Sequence, residues 1–142
     1  MQNWKNRLTM SSRATFYEPI SEFRFQPYFN IINVTKFRIA LTRLRVSSHR
    51  LEIETGRWHK PNKIPRDNRK CSECNLLEDE YHLLFECVLY NDLRKQYFKP
   101  YYSRRSNMVK TISLMKSDIT KDTRNLATYV FKAFELRTSL LF

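Results

Sequence analysis

All three cysteines of this 142-residue chain fall within 17 residues, and a histidine lies between the second and the third. The segment reads Cys71-Ser-Glu-Cys74-Asn-Leu-Leu-Glu-Asp-Glu-Tyr-His82-Leu-Leu-Phe-Glu-Cys87, spaced C-x2-C-x7-H-x4-C. Two residues between the first thiols let a tight turn aim both sulfurs at one point. The seven that follow leave room for a reversal and for the start of a helix that carries His82. The last gap resembles the x3–5 spacing of zinc-finger ligands on and after a helix. Three thiolates and one imidazole close a tetrahedral shell around Zn²⁺. No position is left for a catalytic water, so the expected site is structural. Cysteines are often buried without any metal, but that alternative leaves the clustering of all four groups unexplained. His49 and His59 are spare. His49 is expected to cap the end of a helix and His59 to sit in solvent.

Charge is distributed in three blocks. Residues 1–70 hold 15 basic and 5 acidic side chains, residues 71–92 none and 6, and residues 93–142 11 and 3, for a total of +12. An acidic island, carrying the cysteine cluster, thus separates two basic arms. The overall excess points to a polyanionic partner, nucleic acid before an anionic membrane surface. Around the ligands the loop adds Glu73, Glu78, Asp79, Glu80 and Glu86, with Glu78 and Asp79 expected to be exposed. Three thiolates on a dication leave the site itself at −1, so this element repels phosphates. Any grip on nucleic acid falls to the basic arms, which the zinc element would orient.

Fold class follows from periodicity. Val34, Phe37, Leu41, Leu44, Ser48 and Leu51 recur at helical spacing, with Asn33 as N-cap, and predict a helix over about 34–47. Lys36, Arg43 and Arg50 flank that stripe on one side, and Arg38 and Arg45 on the other. The first three recur every seven residues and drift by only ~20° per step. Leu51 to Trp58 alternates and ends at Gly56, the one glycine in the chain, which suggests a short strand or an extended return. A single glycine also leaves few left-handed turns and argues against a hairpin-rich β fold. Residues 59–70 form a basic, proline-broken loop and the best candidate boundary. Leu89, Leu93, Tyr97 and Phe98 predict a helix that stops before Pro100. A short helix is expected over 106–116 and a longer amphipathic one over 119–141, in which Arg137 interrupts the apolar face. Trp4 and Leu8 suggest the last turns of a helix over 1–10, and the aromatic residues of 16–31, broken by Pro19 and Pro27, suggest short elements and turns. The expected architecture is mainly α: a small helical domain with an embedded Cys-Cys-His-Cys zinc element. It divides into an aromatic-rich part with a basic helix (1–58), the loop (59–70), the zinc element with its following helix (71–98), and C-terminal helices (99–142).

Several chemistries are excluded by what is missing. One glycine cannot build a phosphate-cradling loop. Neither a polymerase-type pair of aspartates, nor a Gly-x-Ser-x-Gly elbow, nor a His-Glu-x-x-His helix is present. A non-catalytic protein is expected, with no small-molecule substrate. No stretch approaches the ~20 apolar residues of a membrane span. The N-terminal residues lack the shape of a signal peptide. With an odd number of cysteines, the chain is expected to be intracellular, nuclear or cytoplasmic, with reduced thiols.

Three stretches together resemble a known family: Ala40-Leu-Thr-Arg-Leu-Arg-Val-Ser-Ser-His-Arg-Leu-Glu-Ile-Glu-Thr-Gly-Arg57, Arg69-Lys-Cys71-x2-Cys74, and Glu78-Asp-Glu-Tyr-His82-x4-Cys87-x2-Tyr90-x3-Arg94. They are similar to the zinc-binding (zf-RVT-like) region that follows the reverse-transcriptase domain in LINE-type, non-LTR retrotransposon proteins. The resemblance is good over about residues 30–98. It implies that Cys71, Cys74, His82 and Cys87 are ligands, and that Arg43, Arg45, Arg50 and Arg57 belong to a basic lead-in motif. It further implies a module that helps a polymerase hold template RNA or target DNA, here as a fragment, detached module or remnant without the polymerase and endonuclease domains. The x7 gap exceeds the x4 of retroviral zinc knuckles, so knuckle-style base stacking does not carry over. The expected nucleic-acid contacts are Lys36, Arg43, Arg45, Arg50, Arg57, Lys60, Lys63, Arg66, Arg69 and Lys70, with RNA, DNA or both as partner. Two other readings are a module that docks a reverse-transcriptase domain or a second copy, and a transposon remnant without selected activity. An exposed apolar face on 119–141 would favour docking.

Overall fold

A computed structural model describes residues 28–117 and 119–141; the expectations for residues 1–27 lie outside this range. The helices run in the order α1 (Tyr28–Ile31), α2 (Thr35–Arg45), α3 (Glu52–Thr55), α4 (Asn91–Tyr97), α5 (Pro100–Ser103), α6 (Met108–Lys116) and α7 (Thr120–Leu141). Between α3 and α4 lie three short 3₁₀ turns and one π turn. No β-strand forms among the described residues, and one isolated bridge joins Lys70 to Leu77. The fold is mainly α, as periodicity predicts.

α7 is the spine. Leu126, Tyr129, Val130 and Ala133 recur at three- and four-residue spacing, so they share one face, and all are buried. α2, α4, α1 and α6 pack against it, α2 most extensively. Leu41 and Leu44 supply the α2 side of that contact at 1% and 0% exposure. Small Ala127 and Ala133 let neighbours approach closely. A ladder of tilted rings, Tyr81–Phe85, Phe85–Phe98 and Phe98–Tyr129, continues the core toward the cysteine segment.

Several local expectations need correction. α2 starts after Val34, which offers no side-chain cap, so Asn33 lies one position too early to serve as N-cap. The helix also stops at Arg45. Ser47 then takes a left-handed φ of 58°, and its hydroxyl donates to Glu80 Oε1 at 2.9 Å. The supposed strand at 51–58 is α3 followed by a 3₁₀ turn, Gly56–Trp58. Its alternation misleads because Ile53 and Glu54, neighbours in sequence, are both buried. Left-handed turns are made without glycine, by Ser47, Asn75 and Arg105.

Gly56 serves a different need. Its φ of −63° suits any residue, but a Cβ there would lie 2.6 Å from Arg69 Cγ and 2.9 Å from Cδ. That aliphatic stem cannot swing aside freely, because Arg69 Nε donates to Ile64 O at 2.9 Å and Nη1 to Ile53 O at 3.1 Å. Alanine favours a helical backbone by ~1 kcal/mol over glycine, whereas overpacking a close contact costs about 1–3 kcal/mol. With the guanidinium pinned, the second effect wins. Gly56→Ala is expected to lower the midpoint of urea unfolding, and a raised midpoint would show that Arg69 yields.

Candidate metal centre

Two different backbone devices bring the four residues together. The first is a turn at Cys71–Asn75. Asn75 N–H donates to Cys71 O at 2.9 Å, and Cys71 N–H to Leu76 O at 2.8 Å. Asn75 supplies the left-handed residue, φ 57°, that such a reversal demands and that asparagine tolerates. The second is the π turn His82–Glu86, closed by Cys87 N–H donating to His82 O at 2.9 Å. On a regular α-helix, residues five apart point about 140° away from each other. The wider turn, followed by an extended Cys87, brings His82 and Cys87 to one point. The helix expected to carry His82 is thus a single π turn.

Neighbouring side chains fix these devices. Asp79 accepts from the His82 N–H at 2.9 Å. Arg94, buried on α4, donates from Nε to Leu84 O at 2.9 Å and from Nη2 to Cys87 O at 2.6 Å. Tyr129 on α7 donates to Leu83 O, and burial pushes its hydroxyl up to about 12. The carbonyls freed where the π turn ends are therefore satisfied by side chains rather than by water.

One ligand atom from each of Cys71, Cys74, His82 and Cys87 lies within 4.8 Å of the others. The Cys87 sulfur is 3.9 Å from that of Cys71 and 3.8 Å from that of Cys74. A tetrahedral ion with metal–sulfur bonds of ~2.3 Å has sulfur–sulfur edges of about 3.8 Å. All three cysteines are free thiols. Both nitrogens of the buried His82 ring lack a hydrogen-bond partner. An imidazole so enclosed normally satisfies at least one nitrogen, and a metal ion meets that need. Burial, reinforced by the neighbouring Cys71 and Cys74, pushes the free Cys87 thiol up to about 12. The residues present fit a tetrahedral metal ion.

Of the acidic residues around the site, Glu73 and Glu86 are exposed, but Glu78 and Glu80 are buried and Asp79 is half-buried, against the expectation that Glu78 and Asp79 are exposed. Glu78 is 2% exposed and forms a fork with Arg137: Nη2 donates to Oε1 at 2.7 Å and Nε to Oε2 at 3.2 Å. Glu78 Oε1 also accepts from the Glu52 N–H at 2.8 Å. Arg137, an interruption when the apolar face is read alone, is the buried partner of this carboxylate. Burial opposes its charge, but Glu78 more than offsets this and raises its pKa. Glu80 is likewise buried, with His49 Nε2 2.7 Å from its Oε1. Burial alone would raise the Glu80 carboxyl, but His49 and Ser47 outweigh it and hold it below the usual range. His49 therefore binds Glu80 rather than capping α2, while His59 is exposed as expected.

The expected nucleic-acid contacts separate into three groups. Lys36, Arg43 and Arg50 line one groove between α2 and α7, although Arg50 lies beyond the end of the helix. Lys60, Lys63, Arg66 and Lys70 are exposed, and Arg57 is half-buried 3.5 Å from Glu54. Arg45 and Arg69 are corrections. Arg45, 1% exposed, donates to Met115 O at 2.6 Å and lies over the Tyr28 ring at 5.0 Å. Arg69 is held under Gly56. Both guanidiniums serve interior carbonyls and cannot reach a phosphate. The same groove is lined by Phe131, Phe134 and His49, which charge spacing alone did not reveal. Their signal was the aromatic pair on 119–141, offset from its most buried face.

No helix among the described residues is long and apolar enough to cross a membrane. Comparison of the chain with protein-family models, curated proteins and solved structures finds no match.

Proposed function

We propose that the metal is Zn²⁺ and that the chain is a non-catalytic module that binds RNA or DNA through basic residues outside the metal centre. Three thiolates and one imidazole in a closed shell suit zinc, which has no geometric demand of its own beyond this tetrahedron. The metal would hold the fold together and leave binding to the surface. One observation carries the binding role: Lys36, Arg43 and Arg50, separated in sequence, converge on one groove. The resemblance to the region after the reverse transcriptase of LINE-type elements agrees with a helper that grips template or target. Of the apolar residues of 119–141 whose exposure would favour docking, Leu126, Tyr129, Val130 and Ala133 are buried, whereas Ile119 and Leu140 are exposed and Phe134 lines an open groove.

Phosphate contacts carry little sequence information, so binding is expected to be weakly specific and strongly salt-dependent. If about four phosphates are neutralised, log K falls against log salt with a slope of roughly −3 to −4. Reversing Arg43 and Arg50 to Glu weakens RNA and DNA binding together and flattens that slope. A charge-reversed protein that binds as well as wild type, or a salt-independent interaction, would end this reading. Fluorescence anisotropy at two salt concentrations decides it.

A further inference from the structure

The groove between α2 and α7 has a volume of about 970 Å³ and a composition unlike a plain cationic surface. Its rim carries Lys36, Arg43 and Arg50, while Phe131, Phe134 and Ile39 contribute apolar surface between them. The rings are arranged rather than scattered. Phe131 sits 5.3 Å from Phe37, with Lys36 Nζ 5.0 Å above its centroid. Phe134 lies nearly parallel to His49, at 6.0 Å and 27°. His49 is locked by Glu80 through one nitrogen and by the Leu51 N–H through the other, so its ring is held in place beside Phe134. Of two further charges lining the groove, Arg137 is paired with Glu78, and the exposed Glu135 carboxylate offsets one of the three cations, leaving the groove net positive.

Resting on the nucleic-acid reading, we infer that this groove takes a single-stranded segment, with phosphates on the cationic side chains and bases against the half-buried Phe131 and Phe134 rings, the buried His49 backing Phe134 from behind. A duplex keeps its base faces stacked inside and offers only sugar, phosphate and base edges, which leaves the aromatic surface unmatched. An unpaired strand presents both a charged backbone and apolar base faces at once, the combination that single-strand sites recognise. Complementarity disfavours a second copy of this basic chain as occupant.

The test uses labelled oligo-dT and oligo-rU of about 12 nucleotides, a length within the span of one single-strand site, and a DNA duplex of equal length. Tighter binding of either single strand than of the duplex, by about tenfold or more, is expected. Phe131→Leu with Phe134→Leu keeps the apolar packing and removes the rings. It should lower single-strand affinity about tenfold and leave the salt slope unchanged, whereas Arg43→Glu with Arg50→Glu changes the slope. Circular dichroism and thermal melting confirm that the variants remain folded. A duplex that binds as tightly as the strands, or ring-less variants that bind like wild type, overturns the single-strand assignment while the broader nucleic-acid reading stands. Displacement of oligo-dT by poly-glutamate as readily as by unlabelled oligo-dT overturns it in favour of an acidic peptide. Loss of salt-dependent binding to every probe sinks both.

Discussion

Cys71→Ser, Cys74→Ser and Cys87→Ser are each expected to abolish stoichiometric zinc and to unfold more than the loop that holds it. Cys71, His82 and Cys87 are 1–2% exposed and belong to the same interior as Leu83, Leu84 and Tyr129. An ion held by these residues would therefore be part of the core. Structural zinc contributes on the order of 10–16 kcal/mol in small fingers, comparable to the entire stability of an ordinary domain. Chelation of the wild type should reproduce the effect, with hydrogen exchange accelerating across residues 71–98 and in α7. Acid should act in the same direction, because protons compete with the ion for thiolates and imidazole. Less than half an equivalent of zinc after refolding with the metal would remove the site from consideration.

The second large effect is expected at Glu78 and Arg137. Removing one partner of a buried, hydrogen-bonded ion pair strands the other charge and costs about 3–5 kcal/mol. Glu78→Ala should sit at the upper end, since the Glu52 N–H loses its acceptor as well. Joint replacement, Glu78→Leu with Arg137→Met, should be much milder, because no charge is then left uncompensated. Urea unfolding of the two single variants and the double variant gives the coupling directly. Single variants within about 1 kcal/mol of wild type would mean that water reaches the pair.

The metal quartet was legible because ligand spacing is a local property, visible without knowledge of the fold. The helices α2, α6 and α7 were legible for a similar reason: apolar residues at three- and four-residue intervals leave little alternative. Partners distant in sequence were not legible. Arg45 looked like one more surface cation because its acceptor, Met115 O, is 70 residues away. Glu78 looked exposed because it stands in an acidic run, and Arg137 looked misplaced because it stands in an apolar one. Each resolves the other's anomaly, but only the packing of α7 against the metal loop brings them together. The π turn was equally hidden, since the x4 spacing is compatible with an ordinary helical start.

Between the second and third ligands the chain extends two carboxylates, Glu78 to Arg137 and Glu80 to His49, and both recipients border the groove between α2 and α7. If metal loading fixes the segment that carries these two carboxylates, it would also fix the walls of the groove, and the two free energies are then expected to be linked. Linkage is reciprocal: an occupant that favours the metal-loaded arrangement must tighten retention of the ion by the same factor by which the ion tightens the occupant. A chelator competition run with and without oligonucleotide reads that factor from the metal side, with no binding curve for the nucleic acid required.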